Sequence, residues 1–262
     1  MKLLDTLHRW TGGLIGLVLA LLGLSGAILV HKEEWIGLPH ARDAQVTDLA
    51  TVAATTEKLM AMPGDPQGII YASQRLGLHQ MRFDEGAGLY ASQSGEVVAR
   101  WASQWERPEI WLFDFHHHLF TGDAGEWVIG IAGLAGLFFV ISGVILWWRT
   151  RKTFKLRLWP KRMTRPAIVT QHRDFGIVVA PLLLLSVVTG TMMIFRPFAA
   201  IVVAPFAPVA ETAKALEPPK YRGGPLAADP DWTAMLNTAR ARFPDAEFRI
   251  LSKPRQPGDP IS

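Results

Sequence analysis

The sequence predicts a membrane α-helical bundle carrying external α+β modules, and three observations predict it. Uncharged apolar runs at 10–30 (21 residues), 127–148 (22) and 175–195 (21) are each long enough, at 1.5 Å per residue, to cross a hydrocarbon core of about 30 Å. The charges between these runs are sorted by sign. Nine Lys or Arg and no acid lie from 149 to 173, whereas 32–126 holds seven basic and fourteen acidic side chains. The remaining segments pattern as short amphipathic helices and strands. Composition agrees: of 262 residues 49% are hydrophobic and 19% charged, and the mean hydropathy of +0.17 is what watery segments leave when they dilute apolar spans.

Each element follows in order. The first span (within 1–31) is too long for a signal-peptide core and no small-residue cleavage site follows it, so it reads as retained. Gly12 and Gly16 form a GxxxG pair there, and Ala132 with Gly136 a small-xxx-small pair in the second span, as close packing in lipid favours. Trp10, Trp35, Trp127, Trp147 and Trp148 cluster at run ends like an aromatic belt. Segment 32–115 reads as an external module. Asp48 opens an amphipathic helix with Leu49, Val52, Ala53, Leu59 and Met60, and Pro63 ends it. An extended Ile69-Ile70-Tyr71 follows, then strand-like pieces at 78–83, 88–93 and 96–101, with a Ser94-Gly95 turn between the last two. Segment 116–148 is the second span, introduced by three adjacent histidines. A basic loop fills 149–171, the third span 172–196, and a linker with part of a second module 197–262.

The positive-inside rule puts the basic loop in the cytoplasm, 32–126 outside, and the N-terminus, with Lys2 and Arg9, inside. The net charge of +4 and isoelectric point near 9.5 are therefore a topology signal, and a nucleic-acid partner is a poor reading. There is no cysteine, which excludes disulfides, thiolate zinc sites, iron–sulfur clusters and covalently attached c-type haem.

The chain reads as a duplication. His8-Arg9-x-x-Gly12 matches His172-Arg173-x-x-Gly176, and 18 residues after each His come Ser25-Gly26 and Thr189-Gly190. Asp229 opens a second amphipathic stretch with Trp232, Leu236, Ala239 and Phe243, closed by Pro244, and Phe248-Arg249-Ile250 follows as the extended piece. By symmetry a fourth span is expected near position 308, which makes this sequence about two-thirds to three-quarters of a four-span protein. A second module stopping halfway through its sheet is expected to leave an unpaired edge and an incomplete core.

The histidines carry the candidate chemistry. His8 and His172 stand at matching places just before their spans, and haem iron takes two axial nitrogens from opposite faces, so paired imidazoles on facing helices suit a macrocycle. Glycines one turn later give it room, and Arg9 and Arg173 suit its propionates. The competing reading, interfacial anchoring, stands level with this once both pairs share one register. Of His116, His117 and His118 only one can face a given site, because helix neighbours point about 100° apart. His31 is a weaker alternative ligand; lying 23 residues from His8, about 34 Å along a helix, it cannot share a metal with it. His40 and His79 fit no pattern, and Met192-Met193 reads as packing.

These residues carry a resemblance. The two HRxxG openings, the acidic helix-then-hairpin segment, Asp114-Phe115-His116-His117-His118-Leu119-Phe120-Thr121-Gly122-Asp123-Ala124-Gly125 and the Ser-Gly-Val-Ile-Leu-Trp-Trp ending at 142–148 resemble the PepSY-associated transmembrane family over essentially the whole chain. That family includes iron-regulated membrane proteins and ferric-siderophore reductases. The resemblance implies four spans, two external PepSY-type modules and two b-type haems, one near each membrane face. It implies that His8 and His172 ligate the inner haem and that His116 holds the outer one, whose second ligand belongs to a fourth span. The function so implied is electron transfer across a bacterial inner membrane, from a reductant on the cytoplasmic side to an external ferric-siderophore complex. The alternatives are a membrane-anchored, non-redox binding or inhibitory module, or an inactive truncated copy. No nucleophilic or proton-transfer constellation is visible, and the lipid bilayer is the one partner composition demands.

Overall fold

A computed structural model describes residues 2–215, 226–227, 229–254 and 261. In chain order it contains α1 (Lys2–Val30), α2 (Lys32–Trp35), α3 (Leu49–Met60), β1 (Gly68–Ile70), β2 (His79–Arg82), β3 (Gly88–Ala91), β4 (Val97–Trp101), α4 (Pro108–His118), α5 (Asp123–Trp148), α6 (Arg165–Ile194), α7 (Arg196–Val203), α8 (Val209–Ala215), α9 (Trp232–Arg242) and β5 (Ile250–Ser252). These elements form two compact units. One holds most of α1 with 113–217; the other holds 28–112 with 218–262.

In the first unit, α1, α5 and α6 are long and apolar enough to cross a membrane. The seam between α5 and α6 is built on small residues: Gly130 faces Phe195 and Ile194, Gly133 faces Thr191, and Gly136 faces Val187. Ala132 and Gly136 are both buried, as their spacing predicts. The GxxxG pair of α1 behaves differently. A methyl group built on Gly16 would meet nothing within 4 Å, and one on Gly12 only Phe139 at 3.8 Å, so this pair borders open space rather than a close-packed seam.

Two boundaries also differ from the sequence reading. The second span does not run on from the histidines. His116–118 end α4, and Leu119, Phe120 and Gly122 with positive φ break the chain before α5. The third helix starts about ten residues ahead of its apolar run, with a proline in its first turn whose fixed φ suits a helix start, so His172 lies two turns inside α6. Residues 196–203 and 209–215, read as linker, are helical.

The second unit is an antiparallel sheet in the order β4-β3-β2-β1-β5, with α3 and α9 against one face. Both helices are capped by aspartate. Asp48 accepts from Thr51 N at 2.8 Å and Asp231, rather than the expected Asp229, from Ala234 N at 2.7 Å. Leu59, Ile69, Met81 and Leu89 pack with Trp232 and Leu236 on this face. Phe243, expected on the apolar side of α9, is exposed. On the opposite face Ile36, Leu78, Tyr90 and Trp101 form a smaller core, so β3 is buried on both sides.

The strand of the second copy is therefore paired on one side, to the first copy, and stands at the edge of the sheet. β5 adds to β1, pairing Ile69 with Leu251 and Ile70 with Ile250. Aligning Pro63 with Pro244 makes Ile69 equivalent to Ile250 and Ile70 to Leu251, so these pairs are exchanged by a local two-fold axis. The duplication is used to build one continuous sheet. Gly68 permits the approach: a methyl group there would lie 2.3 Å from the Leu251 carbonyl oxygen.

Candidate functional site

His8 projects from α1 toward α5, where its Nδ1 lies 2.7 Å from the Ser142 hydroxyl and its ring meets Phe139 edge-on at 5.6 Å between centroids. His172, on α6, is within electrostatic reach of His8. The two imidazoles matched by the repeat are thus brought to the same end of the helix bundle. A methyl group on Gly176, one turn after His172, would enter open space, as would one on Gly13 or Gly190. Two imidazoles on separate helices, with open space at Gly13 and Gly176 close by in the chain, are a donor set that fits a bis-histidine macrocycle. Among the described residues no three His, Asp or Glu side chains converge as a metal-ion site. The indole N–H of Trp147, farther along α5, is buried and has no hydrogen-bond acceptor among them.

The arginines of the two motifs do different work. Arg9 is exposed and only 3.7 Å from Asp5 one turn earlier. Arg173 is committed to the chain itself: it bonds Asp174 at 2.7 Å and reaches the Thr153 hydroxyl at 3.1 Å. Asp174 is fully buried, is also paired with Arg157, and accepts from the backbone N–H of Lys155. This carboxylate clasps the 149–164 connection to α6, and sequence reasoning missed it. Its signal was a break in the repeat: Asp174 stands where the first copy has Trp10, at the end of a long run of uncompensated bases.

At the other end of α1, His116 lies over Ser25-Gly26. Its Nδ1 is 2.9 Å from the Ser25 hydroxyl, and a methyl group on Gly26 would be 2.9 Å from the ring's Cε1. Its neighbours turn elsewhere, as helical geometry requires: His117 stacks on Phe113 at 4.2 Å and His118 pairs with Asp114 at 3.2 Å. Among the described residues no second imidazole shares Ser25-Gly26 with His116. His31 is exposed and bonded to Glu34 at 3.0 Å, and His40 to Asp43 at 2.8 Å. His79 is a structural histidine in β2, where it accepts the Ala72 N–H at 2.9 Å and burial pushes its pKa down to about 4.

Three long apolar helices with an antiparallel α+β sheet region define a multi-pass membrane protein. The chain belongs to the PepSY-associated TM region family, which matches residues 6–255. It is also similar to the "Uncharacterized protein PA4219" of Pseudomonas aeruginosa, 29% identical over 148 residues. That match takes in 54% of this chain and 37% of the relative, well under two thirds of the relative's length.

Proposed function

We propose that this protein binds b-type haem in the bacterial inner membrane and passes electrons from a cytoplasmic reductant to a ferric complex, such as a ferric siderophore, outside. The observation that carries the reading is the placement of His8 and His172: two imidazoles on repeat-related helices at the same end of the bundle, with Gly176 one turn beyond His172 bordering open space. The orientation proposed puts the N-terminus and the basic 149–164 connection in the cytoplasm, and the sheet unit in the periplasm.

Haem would supply the one-electron Fe(III)/Fe(II) couple, which no side chain in this cysteine-free chain offers. The chain's own residues do the rest. His8 and His172 would hold the iron from two helices, and Phe139 packs against the His8 ring and limits its rotation. His116 would serve a second group nearer the other face, which matters because a single macrocycle does not bridge about 30 Å of hydrocarbon. Arg9, exposed and weakly paired, is free to meet a propionate, whereas Arg173 is held by Asp174 and Thr153. The ferric acceptor would be reduced outside and release its iron, since siderophore oxygens hold Fe(II) weakly.

The test is spectroscopic. Detergent-purified protein is expected to show a b-haem Soret band that sharpens on dithionite reduction, and His8→Ala or His172→Ala is expected to remove most of it. A folded, colourless protein overturns the reading in favour of a membrane-anchored binding module without redox activity.

A further inference from the structure

We infer that two Ser-Gly steps, Ser142-Gly143 on α5 and Ser25-Gly26 on α1, are imidazole clamps that hold His8 and His116 in the Nδ1–H tautomer and keep each Nε2 lone pair free for iron. The part concerning iron rests on the haem reading above; the tautomer stands on hydrogen bonds alone.

The two sites repeat one geometry between different helices. In each, the serine hydroxyl meets Nδ1 of the incoming ring, at 2.7 Å for His8 and 2.9 Å for His116. In each, the following glycine underlies Cε1: a methyl group would come to 3.5 Å at Gly143 and 2.9 Å at Gly26. Both serines are buried, Ser142 to 1% and Ser25 to 3% exposure, so water does not compete for these bonds.

The direction of each bond follows from counting protons. A serine hydroxyl has one hydrogen. Ser25 lies 3.0 Å from the Leu22 carbonyl and Ser142 3.3 Å from the Phe139 carbonyl, each three residues back on its own helix. If the hydroxyl hydrogen goes to that carbonyl, the oxygen is left to accept, and the ring must donate from Nδ1. Both polar groups are then satisfied. In the opposite tautomer the serine would have to turn its hydrogen to Nδ1 and abandon the carbonyl. The helix N–H four residues on still serves that carbonyl, so the two arrangements differ by one hydrogen bond, and in a buried setting the one with two bonds is the more stable. A neutral imidazole with hydrogen on Nδ1 has its lone pair on Nε2, the form a metal needs, and an acceptor at Nδ1 fixes ring orientation and raises ligand basicity. Ser142 and Ser25 are positioning residues in this account.

His79 is an internal contrast. Its Nδ1 accepts from the Ala72 N–H, so it must carry its hydrogen on Nε2. Among the described residues Thr189-Gly190, the repeat's counterpart of Ser25-Gly26, meets no imidazole. The Thr189 hydroxyl lies 3.2 Å from the Ser186 carbonyl, three residues back as at the two serines, so threonine fits this helix-and-hydroxyl geometry.

Two measurements on the full chain in detergent test the clamp. In haem-free protein labelled with 15N-histidine, His8 and His116 are expected as Nδ1–H and His79 as Nε2–H. Finding His8 and His116 as Nε2–H overturns the inference, and the wild-type spectrum needs no variant that must fold. In haem-loaded protein, Ser142→Ala is expected to retain haem but shift the ferric/ferrous equilibrium of one haem toward ferrous by about tenfold, ~59 mV for one electron, because the ring loses its acceptor. Ser25→Ala is expected to do the same to the other haem, and Ser25→Thr to restore it. Unchanged potentials in both alanine variants overturn the clamp while leaving the haem reading intact. Wild-type protein without haem overturns the haem reading, and the tautomers are then decided by the nitrogen spectrum alone.

Discussion

His79 is a buried imidazole and His116 a half-buried one, and their surroundings give them opposite tasks. His79 faces inward from β2 beside Met81 and has its Nδ1 occupied by a backbone donor, so it is held neutral as part of a core. Its folded pKa, pushed down to about 4, lies below the ordinary value of 6.5, so the unfolded chain binds the extra proton first. This group's stability contribution is complete above pH 6.5 and is lost as pH falls toward 4, by about 3 kcal/mol at most. Thermal denaturation of the sheet unit is expected to show a lower Tm at pH 4.5 than at 7.5, and His79→Leu to flatten that difference; an unchanged pH slope in the variant would remove His79 as its cause. His116 instead rests on Gly26, where even one carbon would approach to 2.9 Å. Gly26→Val is expected to displace the ring and abolish haem binding at that end. Gly23→Ala, which enters open space on the same helix, is expected to be silent or stabilising by up to about 1 kcal/mol. Equal losses in the two variants would show that α1 tolerates no added carbon, rather than that Gly26 is specific.

Among elements, the three spans, α3 and α9 were legible as helices, α4, α7 and α8 were not, and helix partnership was legible nowhere. The aspartate-to-proline frames announced α3 and α9, and the period of two announced β2, β3 and β4. Yet nothing in residues 229–250 said that α9 would lie on the same sheet as α3, or that β5 would pair with β1. That pairing requires a strand edge left free by the first module and a glycine at Gly68, neither of which is a local signal. Trp232 is 4% exposed and inserted between α9 and that sheet, so Trp232→Ala is expected to cost about 3–5 kcal/mol, read as a lower Tm of the sheet unit while any haem spectrum is retained. The Asp174 clasp acts on the 149–164 connection. Asp174→Ala leaves two guanidinium groups, each about a fifth to a quarter exposed, without their shared anion. Faster tryptic cleavage within 149–164 is the expected result, and wild-type cleavage kinetics would show that the clasp does not hold the loop.

The whole molecule is organised by its apolar helices and its internal repeat. Because the chain has no cysteine, single substitutions report sidedness without background. An impermeant thiol reagent applied to intact cells is expected to label Ser94→Cys, in the acidic segment, and to spare Arg162→Cys, in the basic loop, until the membrane is opened. The inverse pattern would overturn the proposed orientation. The duplication reaches the same scale by two routes: it sets His8 and His172 in one register, and it extends the sheet by one strand through a local two-fold at β1 and β5.

By itself the sequence determined the spans, their sorting by charge, the repeat and the histidines worth following. Each of these depends on a local property: a run of apolar residues must match the hydrocarbon thickness, and fixed charges must stay with water on one side. Only the tertiary structure decided which glycines are seams and which are open space, that His116 rather than its neighbours turns to α1, and that Asp174 is buried. It also decided the serine clamps, whose partners lie 134 and 91 residues apart in the chain. Such pairings depend on which helix faces meet, and short-range patterning in the sequence carries no record of that.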